Sequence, residues 1–485
     1  MFAILVATLL VFFVGYIIKS IIKPRNFPPG PRWYPFIGSS NVVQSMTKKH
    51  GSQFKALLEL SKEYSTNVLG LKLGREVVVA VYGERNVRQI FTEKAFEGRP
   101  DNFFIRLRCL GKRLGITFAD GPQWRIQRQF TVKQLRNVGF GKTPMEKEIQ
   151  KELQNVISYI DANRHEPITP KSIFSVPVMN VLWKYVAGEK IQQEKLTRLL
   201  ELFSVRSKAF VVAGGLLNQI PWCRFFIPRI SGYQLIADLN QQISEIIEEA
   251  IEKHKNKEIQ VDDFIYMYLK EMQDNKDTFT YDQLTIICLD MIIAGAQTTG
   301  NSLEFAILAA LRNRNIQERM IEEIDKNIGD EPPSYTDSAK LVYTSAFLQE
   351  VHRMYTIAPV AGPRRALEDT IVDGYLIPKD ATVLISVGDI HRDPELWQDP
   401  NEFNPERFID ERGILKNSEH MYPFGLGRRR CPGDALAKSA IFILFVGILQ
   451  KYRISPCNGV LPSDEAQIGI IAGAKPYKAI FSPRK

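Results

Sequence analysis

The residues best suited to chemistry fall in one short stretch, Phe424-Gly-Leu-Gly-Arg-Arg-Arg-Cys431-Pro-Gly433. A lone cysteine is by default a small buried hydrophobe. Its surroundings here point elsewhere. Gly425, Gly427 and Gly433 permit tight turns and close backbone approach. Phe424 offers a face to a flat ring system, and Arg429 can pair with an anionic carboxylate. An apolar periodic run, Ala435 to Leu449, begins just after Cys431, so the sulfur lies near a helix N-terminus. The helix dipole, the neighbouring arginines and backbone N–H groups there favour the thiolate, the form of cysteine that binds metal. The other cysteines, Cys109, Cys223, Cys288 and Cys457, are widely separated and make no CxxC pair. That argues against a disulfide framework or a structural zinc site.

Glu350-Val-His-Arg353 carries an acid and a base at i, i+3, on one face of a helix, and Pro405-Glu406-Arg407-Phe408 follows downstream. With these two elements, the cysteine stretch resembles the cytochrome P-450 superfamily. Its signature Phe-x-x-Gly-x-Arg-x-Cys-x-Gly is matched at Phe424, Gly427, Arg429, Cys431 and Gly433. The resemblance implies a mainly α fold with a small β portion, and haem b with Cys431 as the iron ligand. It implies a structural network of Glu350, Arg353 and Arg407. Trp124 and Arg128, in Trp124-Arg-Ile-Gln-Arg128, are similar to a family pair that contacts a haem propionate. Arg429, Arg364 in Gly362-Pro-Arg-Arg365 and Arg99 in Phe96-Glu-Gly-Arg-Pro100 are implied further propionate contacts. Two flexible carboxylates in a low-dielectric pocket require several cations. Leu135 to Lys142, Phe96 to Pro100 and His391-Arg-Asp-Pro394 are similar to the microsomal clan, and the overall flavour resembles its arthropod branch, which includes epoxidases of sesquiterpenoid hormone precursors.

The resemblance implies insertion of one oxygen atom from O2 into a lipophilic small molecule, by hydroxylation or epoxidation. A terpenoid, a sesquiterpenoid hormone precursor, a steroid, a fatty acid or a xenobiotic would serve. In Asp290-Met-Ile-Ile-Ala-Gly-Ala-Gln-Thr298-Thr299, small Ala294 and Gly295 are expected to let a helix lie close over the haem, with the Thr298 hydroxyl near dioxygen. The family pattern has an acid where this chain has Gln297, and glutamine hydrogen-bonds but cannot titrate. The plainer reading of the threonines is that they bend the helix. Phe103 to Ile105, Phe210 to Leu217, Met291 to Gln297, Ile357 to Gly362 and Ile468 to Ala472 are implied to lie over the haem. Their apolar composition favours a lipophilic substrate. No Rossmann fingerprint is present, so electrons are expected from NADPH through a flavoprotein reductase docked on Arg125, Lys133, Arg136, Arg428 and Arg430. Two other activities stay open: a haem-dependent peroxide isomerase or dehydratase, which Gln297 keeps open and Thr298 argues against, and a non-catalytic haem sensor.

Positioning these residues falls mainly to helices, expected at Ser52 to Tyr64, Val87 to Thr92, Gln123 to Leu135, Pro144 to Ala162, Lys195 to Ala213, Tyr233 to Lys255, Tyr281 to Asn313, Ile316 to Ile328 and Ala346 to Tyr355. Short strands are expected at Val68 to Leu73, Val77 to Tyr82, Gly374 to Leu376 and Thr382 to Ser386. The 485 residues exceed the usual domain of about 150, yet no linker interrupts residues 39–485, so they are expected to form one catalytic domain. Phe2 to Ile18 is uncharged and apolar character resumes at Ile21 and Ile22, a helix of about 31 Å. Residues 1–22 are therefore expected to be a transmembrane anchor. A cleavable signal peptide is the competitor, and it lacks a basic leader and a clear cleavage site. Lys19, Lys23 and Arg25 follow the segment, which puts the catalytic domain on the cytosolic side of the endoplasmic reticulum membrane. Residues 23–38, rich in proline, are expected to be a stiff hinge. The 63 basic and 54 acidic residues give +9, a surplus that suits an anionic membrane or an acidic partner. It is spread too thinly to suggest nucleic acid.

Overall fold

The structure is a computed structural model, and it describes residues 2–164, 166–209, 215–259 and 261–484. Side-chain caps start several of its helices. Ser52 accepts from Lys55 N (3.3 Å) to open Gln53–Glu63, Asp263 from Tyr266 N (2.9 Å) to open Phe264–Asp274, and Thr280 from Gln283 N (3.2 Å) to open Tyr281–Gly295. Four helices form the core: Thr143–Ala162 packs on Pro170–Ala187, which packs on Thr298–Arg312, which meets Asp434–Lys451, which returns to the first. Thr298–Arg312 and Asp434–Lys451 are buried nearly all round, as central helices must be.

A four-stranded sheet flanks this core in the order Val68–Leu73, Glu76–Val81, Thr382–Ser386, Val360–Arg365. The outer pairs are antiparallel and the central pair is parallel. A register shift between Ala361 and Arg364 turns the last strand where it enters the site. Three two-stranded sheets complete the β portion.

Eight of the nine expected helices lie on observed ones within a few residues. The end of the Lys195 to Ala213 expectation falls on 210–214, outside the described residues. Tyr281 to Asn313 is corrected. It is two helices, Tyr281–Gly295 and Thr298–Arg312, broken where Gln297 adopts φ −131° and ψ −30°. Across the break the Thr298 hydroxyl donates to Ala294 O (3.0 Å), so the side chain bends the helix. The last-but-one expected strand is displaced to Tyr375–Ile377. Pro170–Ala187 was hidden from pattern reading by its internal Pro177.

Phe2–Ile21 is one helix with exposed Phe2, Val11 and Phe12, and several of its side chains lie outside the described ones. Among the described residues no helix is long and apolar enough to cross a membrane. Residues 23–38 are non-helical and docked on the domain. Gly70 N donates to Pro29 O (2.8 Å), and the Phe27 and Trp33 rings meet edge to face at 5.3 Å.

Candidate active site

The cysteine loop closes on itself where Cys431 N donates to Phe424 O (2.8 Å). Gly427 makes the turn possible. Its φ is +72°, and a Cβ there would collide with Phe91 O. The Phe424 ring meets His352 edge-on at 5.7 Å. Helix Asp434–Lys451 begins three residues after the cysteine. Burial pushes the Cys431 thiol up, while the Gly433 backbone, Arg128 and Arg430 pull it down without outweighing that burial. The backbone N–H and the arginines thus favour the thiolate, as expected, against the burial that opposes it. A thiolate at this position calls for a cation at the sulfur.

Arg99, Arg364 and Arg429 are all buried, and they arrive from a loop, the last strand of the sheet and the cysteine loop. Arg99 Nη1 donates to Gly362 O and Pro363 O (2.6 Å each), and Arg429 donates twice to Glu97 O (3.0 and 2.8 Å). Yet Arg99 Nε, Arg364 Nε and Arg429 Nη1 are buried with no partner. Burial, reinforced by the neighbouring arginines, pushes Arg364 and Arg429 down to about 8 and Arg99 down to about 10. Strand alternation separates Arg364 from its neighbour, since Arg365 pairs with Asp120 (2.9 Å) and Asp380 (2.5 Å). Arg128 repels the same cluster, and its Nη2 donates to Arg430 O. Trp124 is placed differently from expectation. Its indole N–H donates to Ile116 O (3.0 Å), and its ring carries Arg429 at 3.4 Å. It braces an arginine of the cluster.

Glu350 and Arg353, wholly buried, form a bidentate pair at 2.7 and 2.8 Å. Arg353 also donates to His391 O, Pro400 O and Glu402 O, and Arg407 Nε reaches Glu350 at 3.1 Å. The structure therefore brings together the three residues expected to form a network. His391 extends it. Its Nε2 accepts from Tyr422 N (3.0 Å), two residues before Phe424, and burial, then Arg353, pushes it down to about 3. The neutral imidazole ties the network to the cysteine loop.

On the other side, Ala294 is exposed between half-buried Ile293 and Gly295, whereas Gly295 faces the Pro170–Ala187 helix. A Cβ on Gly295 would strike Leu182. The expectation for Gly295 is corrected: its smallness serves helix packing, and Ala294 alone faces open space. Asp290 is held by Arg108 (2.7 Å) and the backbone N–H groups of Ile116 and Thr117 (2.8 Å each). Of the expected apolar lining, Phe104 N meets Asn218 Oδ1 and Ala472 N meets Ile357 O, both at 2.8 Å. Residues 210–214 lie outside the described ones.

Residues 28–481 match the family model described as Cytochrome P450. The chain belongs to the cytochrome P450 family. Among its relatives, the "Probable cytochrome P450 305a1" of Drosophila melanogaster is 40% identical, covering 97% of this chain and 98% of that protein. The "Farnesoate epoxidase" of Bombyx mori is 35% identical, covering 100% and 99%. Rat "Cytochrome P450 2B2" is 31% identical, covering 99% of each. This P450 is an oxidoreductase of the monooxygenase class, and its family implies a haem-iron cofactor.

The residues present fit that group. Three buried guanidiniums, each with one unpartnered nitrogen, suit the two carboxylates of a haem, and one half-buried cysteine suits an iron that brings its other ligands with it. Sequence spacing does not show the buried Arg108–Asp290 pair, the tie of His391 to Tyr422, or the Asn301 and Glu304 side chains that share the helix face of Gln297.

Proposed function

We propose that this P450 inserts one oxygen atom from dioxygen into a lipophilic small molecule, with Cys431 as the thiolate ligand. The observation that carries the reading is half-buried Cys431, two residues along its loop from Arg429, together with the buried cluster of Arg99, Arg364 and Arg429, each of which keeps one nitrogen without a partner. Arg99, Arg364 and Arg429 would bind the propionates, Arg128 would add positive charge, and Trp124 would hold Arg429 in place. Phe424 and Gly427 shape the loop that presents the sulfur. Bound haem supplies the iron at which dioxygen is reduced. The Thr298 hydroxyl, now donating to Ala294 O, can turn to hold a proton at Oγ1, while Gln297 orients water without titrating.

Electrons would come from NADPH through a flavoprotein reductase. A depression of about 960 Å³ containing Cys431 is bordered by Lys133, Arg136 and Arg430, and these suit an acidic partner. Arg125 and Arg428 serve it less, because both pair with Glu97 (3.2 and 3.1 Å). We further propose attachment to the endoplasmic reticulum membrane through residues 1–22, with residues 23–38 as hinge, residues 39–485 as the cytosolic domain, and exposed Trp222, Phe225, Phe226 and Ile230 as added contact. The silkworm relative is named for epoxidising farnesoate, which supports an isoprenoid as the first lipophile to test. Gln297 favours one second reading, a peroxide isomerase or dehydratase.

The reduced protein with carbon monoxide should show the red-shifted Soret band of thiolate ligation, and Cys431→His should lose it. A variant lacking Cys431 that keeps the band would refute the ligand assignment. Product formation that requires NADPH and reductase separates the monooxygenase from the isomerase.

A further inference from the structure

We propose that the cavity walled by Gln297, Asn301 and Glu304 is a binding site for a lipophilic acid, in which Lys171 and Ser204 take the carboxylate and the hairpin around Ile468 and Ile471 covers the chain. Its volume is about 570 Å³, within the range of roughly 300–1,000 Å³ that small-molecule sites occupy. Spacings of four and three put Gln297, Asn301 and Glu304 on one face of the helix. The opposite walls come from Lys171, from Ser204, from residues 50–55 and from the hairpin of Ala466–Ile468 and Ala472–Ala474.

The cations of this cavity outnumber the acids free to neutralise them. Lys171 is half-buried, and its Nζ donates to the Ser204 hydroxyl (3.3 Å) rather than to a carboxylate. Lys55, at the cavity edge, has two acids near it, and both are engaged elsewhere. Glu465 pairs with Lys475, and Glu59, one helical turn on, pairs with Lys62 (2.9 Å). Glu304 is only 2% exposed, its carboxyl accepts the Ala474 backbone N–H, and among the described residues it makes no ion pair with Lys171. Burial raises Glu304 to about 7, so it sets only part of a charge against the lysine.

A half-buried lysine short of counter-charge is a place for an anion. Lys171 brings a point charge with three donors, of which Ser204 takes one. The Ser204 oxygen accepts that bond, so its own O–H can be donated. One carboxylate can therefore receive two hydrogen bonds from adjacent groups, the one from Lys171 charge-assisted. The rest of the lining suits a hydrocarbon: Ile468, Ile471, Ala466, Ala474 and Pro476 border the cavity. From Glu304, beside Lys171, to Gln297 the helix wall runs about 10 Å, room for a chain laid from the lysine towards the break. A free inorganic anion has no chain for the apolar lining, and an ester has no charge for Lys171.

The test is equilibrium dialysis of the full-length haem-loaded enzyme against dodecanoate and against its methyl ester. Dodecanoate should bind the wild type about tenfold more tightly than the ester, the scale of one charge-assisted hydrogen bond. Lys171→Met should erase that preference, and Lys171→Arg should keep it. Ser204→Ala should reduce the preference several-fold, and it carries the test if a Lys171 variant does not fold. Equal binding of acid and ester by the wild type overturns the site, as does an acid preference that survives Lys171→Met or Ser204→Ala undiminished. Because the readout is binding, the result holds whichever reaction the haem supports.

Discussion

Two of the groups of buried arginines among the described residues differ in one respect. Around Glu350, Arg353 is wholly buried, yet each of its nitrogens meets a carboxylate or carbonyl oxygen, with Arg407 joining the same carboxylate. Arg99, Arg364 and Arg429 are also buried, but each keeps a nitrogen without a partner. Burial of charge therefore does not by itself mark function. A buried cation already neutralised by the protein holds the fold together, and one left short of partners is placed for a ligand that brings the missing charge.

Glu350→Ala tests the first group and should have the largest effect, since it strands Arg353 without a counter-charge. A loss of about 3–5 kcal/mol is expected in denaturant unfolding, with and without haem alike. A loss confined to the haem-loaded form would erase the contrast. Glu304 extends the comparison to a buried acid. Its folded value is raised from 4.5 to about 7, so its contribution to stability is fully present below 4.5 and is lost as pH rises to about 7. Glu304→Gln removes that slope. The unfolding free energies of variant and wild type should diverge by about 3 kcal/mol across this window, in favour of the variant at higher pH. Parallel curves would show that the carboxyl titrates normally.

The smallest change in stability should come from the second group. Arg364→Leu or Arg429→Leu removes a cation that the haem-free protein does not neutralise, so haem-free unfolding should stay level or improve by about 1 kcal/mol. Haem dissociation should accelerate about tenfold, as expected for about 1.4 kcal/mol of lost binding. If the haem-free variants lose as much as Glu350→Ala does, these arginines belong to the fold and the comparison fails.

Much of the site was legible because its rules are local. Cys431, Phe424 and Gly427 lie within eight residues, and the turn needed Gly427 for reasons that hold wherever the loop sits. Glu350 and Arg353 share a helix face by spacing alone. Gly295 was misread because its neighbour is Leu182, more than a hundred residues earlier. The break at Gln297 shows in the sequence only through the threonines that follow it, because an apolar run looks the same through a bend.

The order of residues by itself determined the helical class, the cysteine loop, the acid and base that share a helix face, and the lack of a titratable group at position 297. Each follows from backbone geometry or side-chain chemistry over a few residues. Tertiary structure alone decided that Arg364 turns inward while Arg365 pairs with Asp120, that Trp124 spends its N–H on Ile116, and that Glu304 faces the same cavity as Gln297. Desolvation and charge pairing depend on which distant segments meet, and sequence spacing does not encode that.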